Sequence, residues 1–232
     1  MENSKSGSKK ALIIIVEIII CIFIAFILVG VVQQFVFTAV RVEKSSMLYT
    51  ISDDGNSKAY VLRIAKKFKR GDIIVFYHPH LNSSYEFDLS IPWTNPLEQG
   101  VSFTQFFQRL PIIGKSIQVD DPDGNRSENC VIKRIIGLPG DTIIKSSDGK
   151  LYVKYAGTSE TQYLNDLGYL PYVAEETVVK EGEMYVLGDN RHSSLDSEDY
   201  GCIKQDWIFG KVVFLFTDGQ FCGTDRVTEP KS

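Results

Sequence analysis

VIKRIIGLPGD, from Val131 to Asp141, sets a lysine inside an apolar strand pattern and then turns sharply through glycine and proline. Lys133 follows Ile132 and lies two residues before Ile135. Because successive side chains of a strand point to opposite faces, Lys133 shares one face with apolar neighbours. We predict that this face withdraws the amine partly from water.

Burial would change the chemistry of this lysine. At its ordinary pKa of about 10.4 a lysine is neutral only about once in a few thousand at pH 7. Desolvation can lower that pKa by roughly 3 units, and Lys133 could then accept a proton. The alternative is that Lys133 and Arg134 form a basic pair at a strand end, with charged heads in water and stems covering the core.

The N-terminus predicts a membrane anchor. A polar segment, residues 1–10, carries Lys5, Lys9 and Lys10 and precedes the apolar run ALIIIVEIIICIFIAFILVGVV, residues 11–32. As a helix this run would span about 33 Å, which matches a hydrocarbon core of about 30 Å. It is longer than the apolar region of a cleavable signal peptide, so we expect a retained anchor.

The lysines before the run favour a cytoplasmic N-terminus, although Arg41 and Lys44 beyond it weaken the contrast. Residues 33–232 are then expected on the outer side of the cell membrane as one β domain. Five prolines interrupt residues 78–130, which we predict to be an irregular insertion.

Past the anchor, β patterns dominate and no long helical periodicity is visible. Alternating or β-branched segments end at turn residues; they are Phe35–Val42, residues 60–76, Asp141–Tyr155 around Asp148-Gly149, Met184–Leu187 and residues 207–216. We predict a mainly β fold, with one transmembrane helix followed by an antiparallel sheet.

Composition excludes some partners. The 232 residues have a net charge of -4 and no basic stripe interleaved with aromatics, so nucleic acid is not expected. His78 and His80 are too small a set for a metal site, and we expect neither metal nor cofactor.

The cysteines outside the anchor allow two interpretations. Cys202 and Cys222 could form a disulfide outside the membrane or remain free thiols, and Cys130 is predicted to be a core residue.

Ser46 stands at the end of a predicted strand, where serine is usually a turn residue. To attack a carbonyl it needs a neighbouring base, and a lysine is one known solution. Ser46 and Lys133 are 87 positions apart, so only the fold can bring them together.

Four stretches together resemble the bacterial type I signal peptidases, which are membrane-anchored Ser/Lys proteases. Ser46–Thr50 is similar to the family's S-M-x-P-T box, RGDIIVF (Arg70–Phe76) to its next box, VIKRIIGLPGD to its lysine box, and GDNRHSSLDS (Gly188–Ser197) to its closing box. The order matches too, and the resemblance covers about residues 10–216.

The resemblance implies a site for each role. Ser46 would be the nucleophile, Lys133 the general base, and Ser194 the group that orients the amine. A charged frame would support the loop, and a pocket residue would face the substrate: Asp189, Arg191, Asp196, Arg134 and Met47. The expected function is acyl-enzyme cleavage of signal peptides from exported preproteins by a monomer working at the bilayer.

Three positions depart from the family pattern. Tyr49 replaces a proline, so the turn loses a fixed φ. Glu198 replaces an arginine, which turns attraction to Asp196 into repulsion unless Arg134 or Arg191 compensates. Lys44 replaces a small or hydroxyl residue.

These departures leave a second hypothesis open, a non-catalytic relative that acts as an assembly or chaperone-like factor for surface fibres such as pili. A self-cleaving Ser/Lys repressor would share the chemistry, but the anchor and the lack of a DNA-binding region argue against it.

Overall fold

A computed structural model describes residues 2–42, 44–78, 130–146, 150–159, 161–163 and 175–225. The predicted insertion therefore lies outside the described residues, except for its ends at His78 and Cys130. The predicted turn at Asp148-Gly149 also lies outside them.

The first element is a long helix, α1 (Glu2–Phe35). Within it Lys10–Val32, 23 residues, is long and apolar enough to cross a membrane, and its most apolar window of 18 residues has no residue buried inside the protein. This agrees with the predicted anchor. One residue separates α1 from the first strand, and the carbonyl of that residue, Val36, accepts the N–H of Arg63 at 2.9 Å.

Twelve strands follow within the described ranges, as the mainly β prediction requires. They are β1 (Phe37–Arg41), β2 (Lys58–Leu62), β3 (Ile73–Tyr77), β4 (Cys130–Gly137), β5 (Thr142–Lys145), β6 (Leu151–Lys154), β7 (Thr161–Tyr163), β8 (Glu175–Val178), β9 (Glu183–Leu187), β10 (Ile203–Lys204), β11 (Ile208–Thr217) and β12 (Gln220–Cys222). A one-turn helix, α2 (Ser197–Tyr200), and two 3₁₀ turns, Ser45–Met47 and Gln205–Trp207, lie between strands.

The strands form two antiparallel sheets. The main sheet has the order β1-β2-β11-β3-β4-β9-β10, with β12 paired to β11, and the second sheet has the order β7-β6-β5-β8. In the second sheet Lys145 pairs with Leu151, which confirms the predicted hairpin.

The core lies on both faces of the main sheet. Along β3, Ile73, Val75 and Tyr77 belong to one buried cluster, whereas Ile74 and Phe76 belong to another. A strand covered on both faces needs apolar residues at every position, which explains the unbroken run IIVFY. A third cluster packs beneath the second sheet.

The four cysteines are free thiols. Cys202 packs against the cluster under the second sheet and Cys222 against a cluster of the main sheet, so the disulfide considered between them is not formed. Burial raises the pKa of the Cys130 thiol to about 12, as expected of an unreactive core residue.

Candidate active site

Ser46 lies in the 3₁₀ turn that follows β1. Its relative exposure is 9%, whereas Met47 beside it is fully buried in a core cluster that also contains Ile51. The buried methionine anchors the turn in the core, and Ser46 keeps a small accessible surface. Lys44 precedes the turn in extended backbone and is exposed.

The turn forms with Tyr49 in place of the proline. Two backbone bonds close it, from Leu48 N–H to Ser45 O at 3.0 Å and from Thr50 N–H to Met47 O at 2.9 Å. The hydrogen bonds thus fix the conformation that the proline ring would otherwise favour.

Lys133 is buried in the middle of β4, with a relative exposure of 3%. Val131 and Ile135 on the same strand are also buried, and Ile74 on β3 is its pairing partner. Burial lowers the pKa of Lys133 to about 8, although the carboxylates of Asp196, Asp189 and Asp199 favour the charged form. The prediction of a desolvated amine is confirmed, and the water-exposed alternative is wrong for Lys133.

The register between β4 and β9 places the loop after β9 beside this lysine. Arg134 pairs with Leu187, so the next position brings Gly188 across from Lys133. Residues opposite each other in antiparallel strands project to the same face. The open side of Gly188 therefore faces the same space as the amine.

That space is filled by the Ser194 side chain and the backbone carbonyl of Ser46. A Cβ atom added to Gly188 would overlap the Ser194 hydroxyl and would lie 2.6 Å from the carbonyl oxygen of Ser46. Because Gly188 has no side chain, three segments can meet here. They are the 3₁₀ turn Ser45–Met47, called the serine turn below, the loop between β9 and α2, and β4 with its lysine. The structure thus brings Ser46 and Ser194 to Lys133, although they lie 87 and 61 residues away from it in the sequence, respectively.

The hydroxyl of Ser194 is buried and has no hydrogen-bond partner within the described part of the chain. A buried hydroxyl without a partner is costly and often marks a functional position. Its place against Gly188 directs it toward the face that carries Lys133.

Asn190 clamps the serine turn, a role that the sequence did not indicate. Its backbone N–H donates to the Ser46 carbonyl at 2.9 Å, and its Nδ2 donates to the Ser45 carbonyl at 2.9 Å. The only sequence signal for it was its position inside the GDNR box.

Two predicted members of the charged frame pair directly. Arg134 contacts both carboxylate oxygens of Asp189, through Nε at 2.8 Å and through a terminal nitrogen at 2.7 Å. The Thr50 hydroxyl donates to the same carboxylate and accepts from Arg134 at 3.2 Å. This network, in which Thr50 was not foreseen, ties the serine turn to the lysine strand and to the loop after β9.

Asp196 supports the loop through the backbone. Its carboxylate accepts the N–H of Gly188 at 2.9 Å and that of Glu198 at 3.2 Å, and it caps α2. It is 2% exposed, and its charge opposes the lowering of the Lys133 pKa.

Glu198 does not face Asp196 without compensation. Its carboxylate lies 3.5 Å from a guanidinium nitrogen of Arg191 and 3.7 Å from Lys145 Nζ. The compensating cation is therefore Arg191 rather than Arg134, and Lys145 from the second sheet joins it.

A serine turn that meets the strand of a buried amine of lowered pKa is a candidate Ser/Lys hydrolase site. The family profile "Signal peptidase, peptidase S26" matches residues 15–217. The chain therefore belongs to the signal peptidase S26 family. Its class is that of a serine endopeptidase that cleaves signal peptides, and α1 fits membrane anchoring.

Two sequence relatives agree with this assignment, and one solved structure is reported beside them. Signal peptidase I of Bacillus licheniformis is 26% identical over 225 residues, covering 93% of this chain and 95% of that protein. Thylakoidal processing peptidase 1 of Arabidopsis thaliana is 36% identical over 117 residues, covering 50% of this chain and 32% of that protein. A crystal structure of a signal peptidase I from Enterococcus faecalis aligns with a TM-score of 0.33 at 24% identity, covering 64% of this chain and 98% of that one.

Proposed function

We propose that Ser46 and Lys133 are the catalytic pair of this signal peptidase. The observation that carries the proposal is the burial of Lys133, with its pKa lowered to about 8, on the face where Ser46 and Ser194 meet. An amine with this pKa is neutral in a substantial fraction of molecules near neutral pH, which a general base requires.

The reaction begins when Lys133 Nζ takes the proton of Ser46 Oγ, which attacks the scissile carbonyl. The Ser46 N–H donates to the developing oxyanion. The lysine ammonium then protonates the leaving amine, the C–N bond breaks, and the mature protein departs. Lys133 next takes a proton from water, whose attack on the ester releases the signal peptide carboxylate and restores Ser46.

The remaining residues have supporting roles. Ser194 is proposed to hydrogen-bond the amine and aim it, while Asp189 with Arg134, and Arg191 and Asp196, hold the loop. Met47 is proposed to wall the substrate pocket from the core side, in keeping with its complete burial.

Cleavage of a labelled signal-peptide substrate by the detergent-solubilised full chain tests this function. Lys133→Met and Ser46→Ala are each expected to reduce kcat by about 10³-fold or more, by analogy with loss of a catalytic base or nucleophile. Lys154→Met, at an exposed lysine on β6, is the matched control and should retain activity. Turnover by Lys133→Met would refute the base assignment, and no turnover by the unmodified chain at any pH would favour the non-catalytic fibre-assembly role.

Orientation and domain limits follow from the same proposal. Residues 1–10 form a cytoplasmic tail, 11–32 the anchor, and 33–232 the catalytic domain on the outer side. Protease added to intact cells should digest the catalytic domain, whereas a tag at the N-terminus should stay protected. Protection of the catalytic domain would reverse the topology.

The lipid bilayer is the proposed second partner, beside the preprotein. Aromatic rings form a chain on the sheet next to the end of α1: Phe37 and Tyr60 lie 5.9 Å apart, Tyr60 and Phe221 5.6 Å, and Phe221 and Phe216 5.1 Å. Phe221 is 68% exposed. Exposed aromatics close to a membrane span suit the headgroup layer, and a monomer suffices to form this surface.

A further inference from the structure

The carboxylate of Glu198 lies between cations from two different parts of the fold. Arg191 precedes α2 in the loop after β9, whereas Lys145 is the last residue of β5 in the second sheet. The side chains of Glu198, Arg191 and Lys145 are 11%, 11% and 15% exposed, respectively. A charged trio this well shielded from water interacts more strongly than a surface pair.

The loop that this trio holds is the one that contacts the catalytic pair. Asn190, next to Arg191, donates two hydrogen bonds to the serine turn. Ser194, three residues beyond Arg191, places its hydroxyl against Gly188. Arg191 and Glu198 flank Ser194 in the chain, so their contact closes residues 192–197 into a loop that begins directly after Asn190 and Arg191.

We propose that Glu198 is a positioning residue, whose negative charge holds Arg191 and thereby fixes Asn190 against the serine turn and Ser194 beside the lysine. The proposal rests on the catalytic roles proposed above and adds a residue to them. Lys145 extends the support, because it fastens the same carboxylate to the second sheet.

The contact depends on charge more than on hydrogen-bond geometry. Within the described residues, Arg191 Nε and Glu198 Oε1 are both buried without a hydrogen-bond partner. Asp189, by comparison, is held by a two-pronged contact with Arg134. Removal of the charge from Glu198 should therefore weaken its hold on Arg191 even when the size and shape of the side chain are kept.

Acidic pH should act in the same direction. Burial raises the pKa of Glu198, Asp196 and Asp199 raise it further, and Arg191 and Lys145 oppose the rise. Tyr185 also lies within electrostatic range of Glu198. Protonation of Glu198 then begins at a higher pH than for an ordinary glutamate and loosens the loop.

The first test compares steady-state cleavage by the full chain with that of Glu198→Gln, which removes the charge and keeps the size. We expect kcat to fall about tenfold, with KM changed by less than about twofold, because the loop positions reacting groups. Glu198→Asp, which keeps the charge, should recover part of the loss. Glu181→Gln, at an exposed glutamate before β9, is the matched control.

A double-mutant cycle tests whether Glu198 acts through Arg191. If it does, the combination of Glu198→Gln with Arg191→Gln loses no more activity than the worse single variant. Multiplication of the two losses, or an unchanged kcat in Glu198→Gln, would overturn the proposal.

Hydrogen exchange gives a readout that does not need turnover. The Asn190 amide, bonded to the Ser46 carbonyl, should exchange about tenfold faster in Glu198→Gln than in Glu181→Gln. Equal exchange in the two variants would overturn the positioning role even if Lys133→Met proves inactive. Faster exchange in a chain that never cleaves substrate would support the positioning of the loop and defeat the catalytic assignment instead.

Discussion

Lys133 shows how one side chain can govern the working pH of the protein. Its amine is useful as a base only when neutral, and burial lowers its pKa to about 8. We expect kcat/KM to rise about tenfold per pH unit below that pKa and to level off above it. A pH profile measured on a substrate without titrating groups checks this. A profile that is flat between pH 6 and 9 would show that Lys133 is not the base.

The same shift has a cost in stability. The pKa of Lys133 is about 8 in the folded chain and 10.5, its ordinary value, in the unfolded chain. Protonation of Lys133 therefore stabilises the unfolded chain more than the folded one, and this loss of folding free energy is complete below pH 8. We predict that Lys133→Met stabilises the fold at pH 7 by about 3 kcal/mol, and that this gain shrinks as pH rises toward 10.5. Urea unfolding in detergent at several pH values measures it. A gain that is constant with pH would contradict the linkage.

At this scale strand alternation placed Lys133 on an apolar face but left open whether its charged head reaches water. The resemblance to the signal peptidase boxes, rather than the alternation, favoured a buried amine and supplied the candidate serine. Of the two cations beside Glu198, Arg191 was among those the sequence offered, but Lys145 could not be predicted, because it belongs to another sheet and only tertiary packing brings the two side chains together. The role of Gly188 could not be predicted either, because the space it leaves for Ser194 and Ser46 is visible only in the folded chain.

Among the elements, the contact between the serine turn and β4 depends on the Thr50, Asp189 and Arg134 network. Asp189 and Arg134 are 3% and 14% exposed, respectively. Asp189→Ala would leave a largely buried guanidinium without its carboxylate, and we expect a loss of about 3 kcal/mol in unfolding free energy together with loss of cleavage.

The matched control is Asp72→Ala. Asp72 pairs with Lys211 at 2.8 Å, where the side chains are 14% and 26% exposed, respectively. Because this pair is more open to solvent, its loss should cost about 1 kcal/mol or less. Equal losses of unfolding free energy in the two variants, measured with urea, would show that the Asp189 network stabilises the fold no more than the Asp72–Lys211 pair does.

Strand segments were largely predictable, but their neighbours were not. The prediction of two strands in residues 60–76 is met by β2 and β3, yet β11, from near the C-terminus, lies between them in the sheet. Both faces of β3 are buried, so its side-chain pattern does not distinguish one neighbour from another. Pairing between segments so distant in sequence is selected by the whole core.

For the whole molecule, the anchor and the sheet should act together on a substrate that is itself held in the membrane. Confinement of both partners to one bilayer raises their effective concentration. We predict that the full chain in liposomes cleaves a membrane-inserted preprotein with a kcat/KM at least about tenfold higher than that for a soluble peptide with the same cleavage site. In detergent above its micelle concentration the difference should narrow. Equal rates in liposomes would contradict a role for shared confinement.

The junction between α1 and β1 limits how far Ser46 can lie from the membrane surface. A single residue, Val36, separates helix from sheet and is itself bonded to Arg63, so the sheet has little freedom to swing away from the bilayer. Ten residues lead from Val36 to Ser46, a reach of at most about 35 Å even when fully stretched. Precursors whose cleavage site projects farther from the lipid would then escape processing, whatever residues flank the bond.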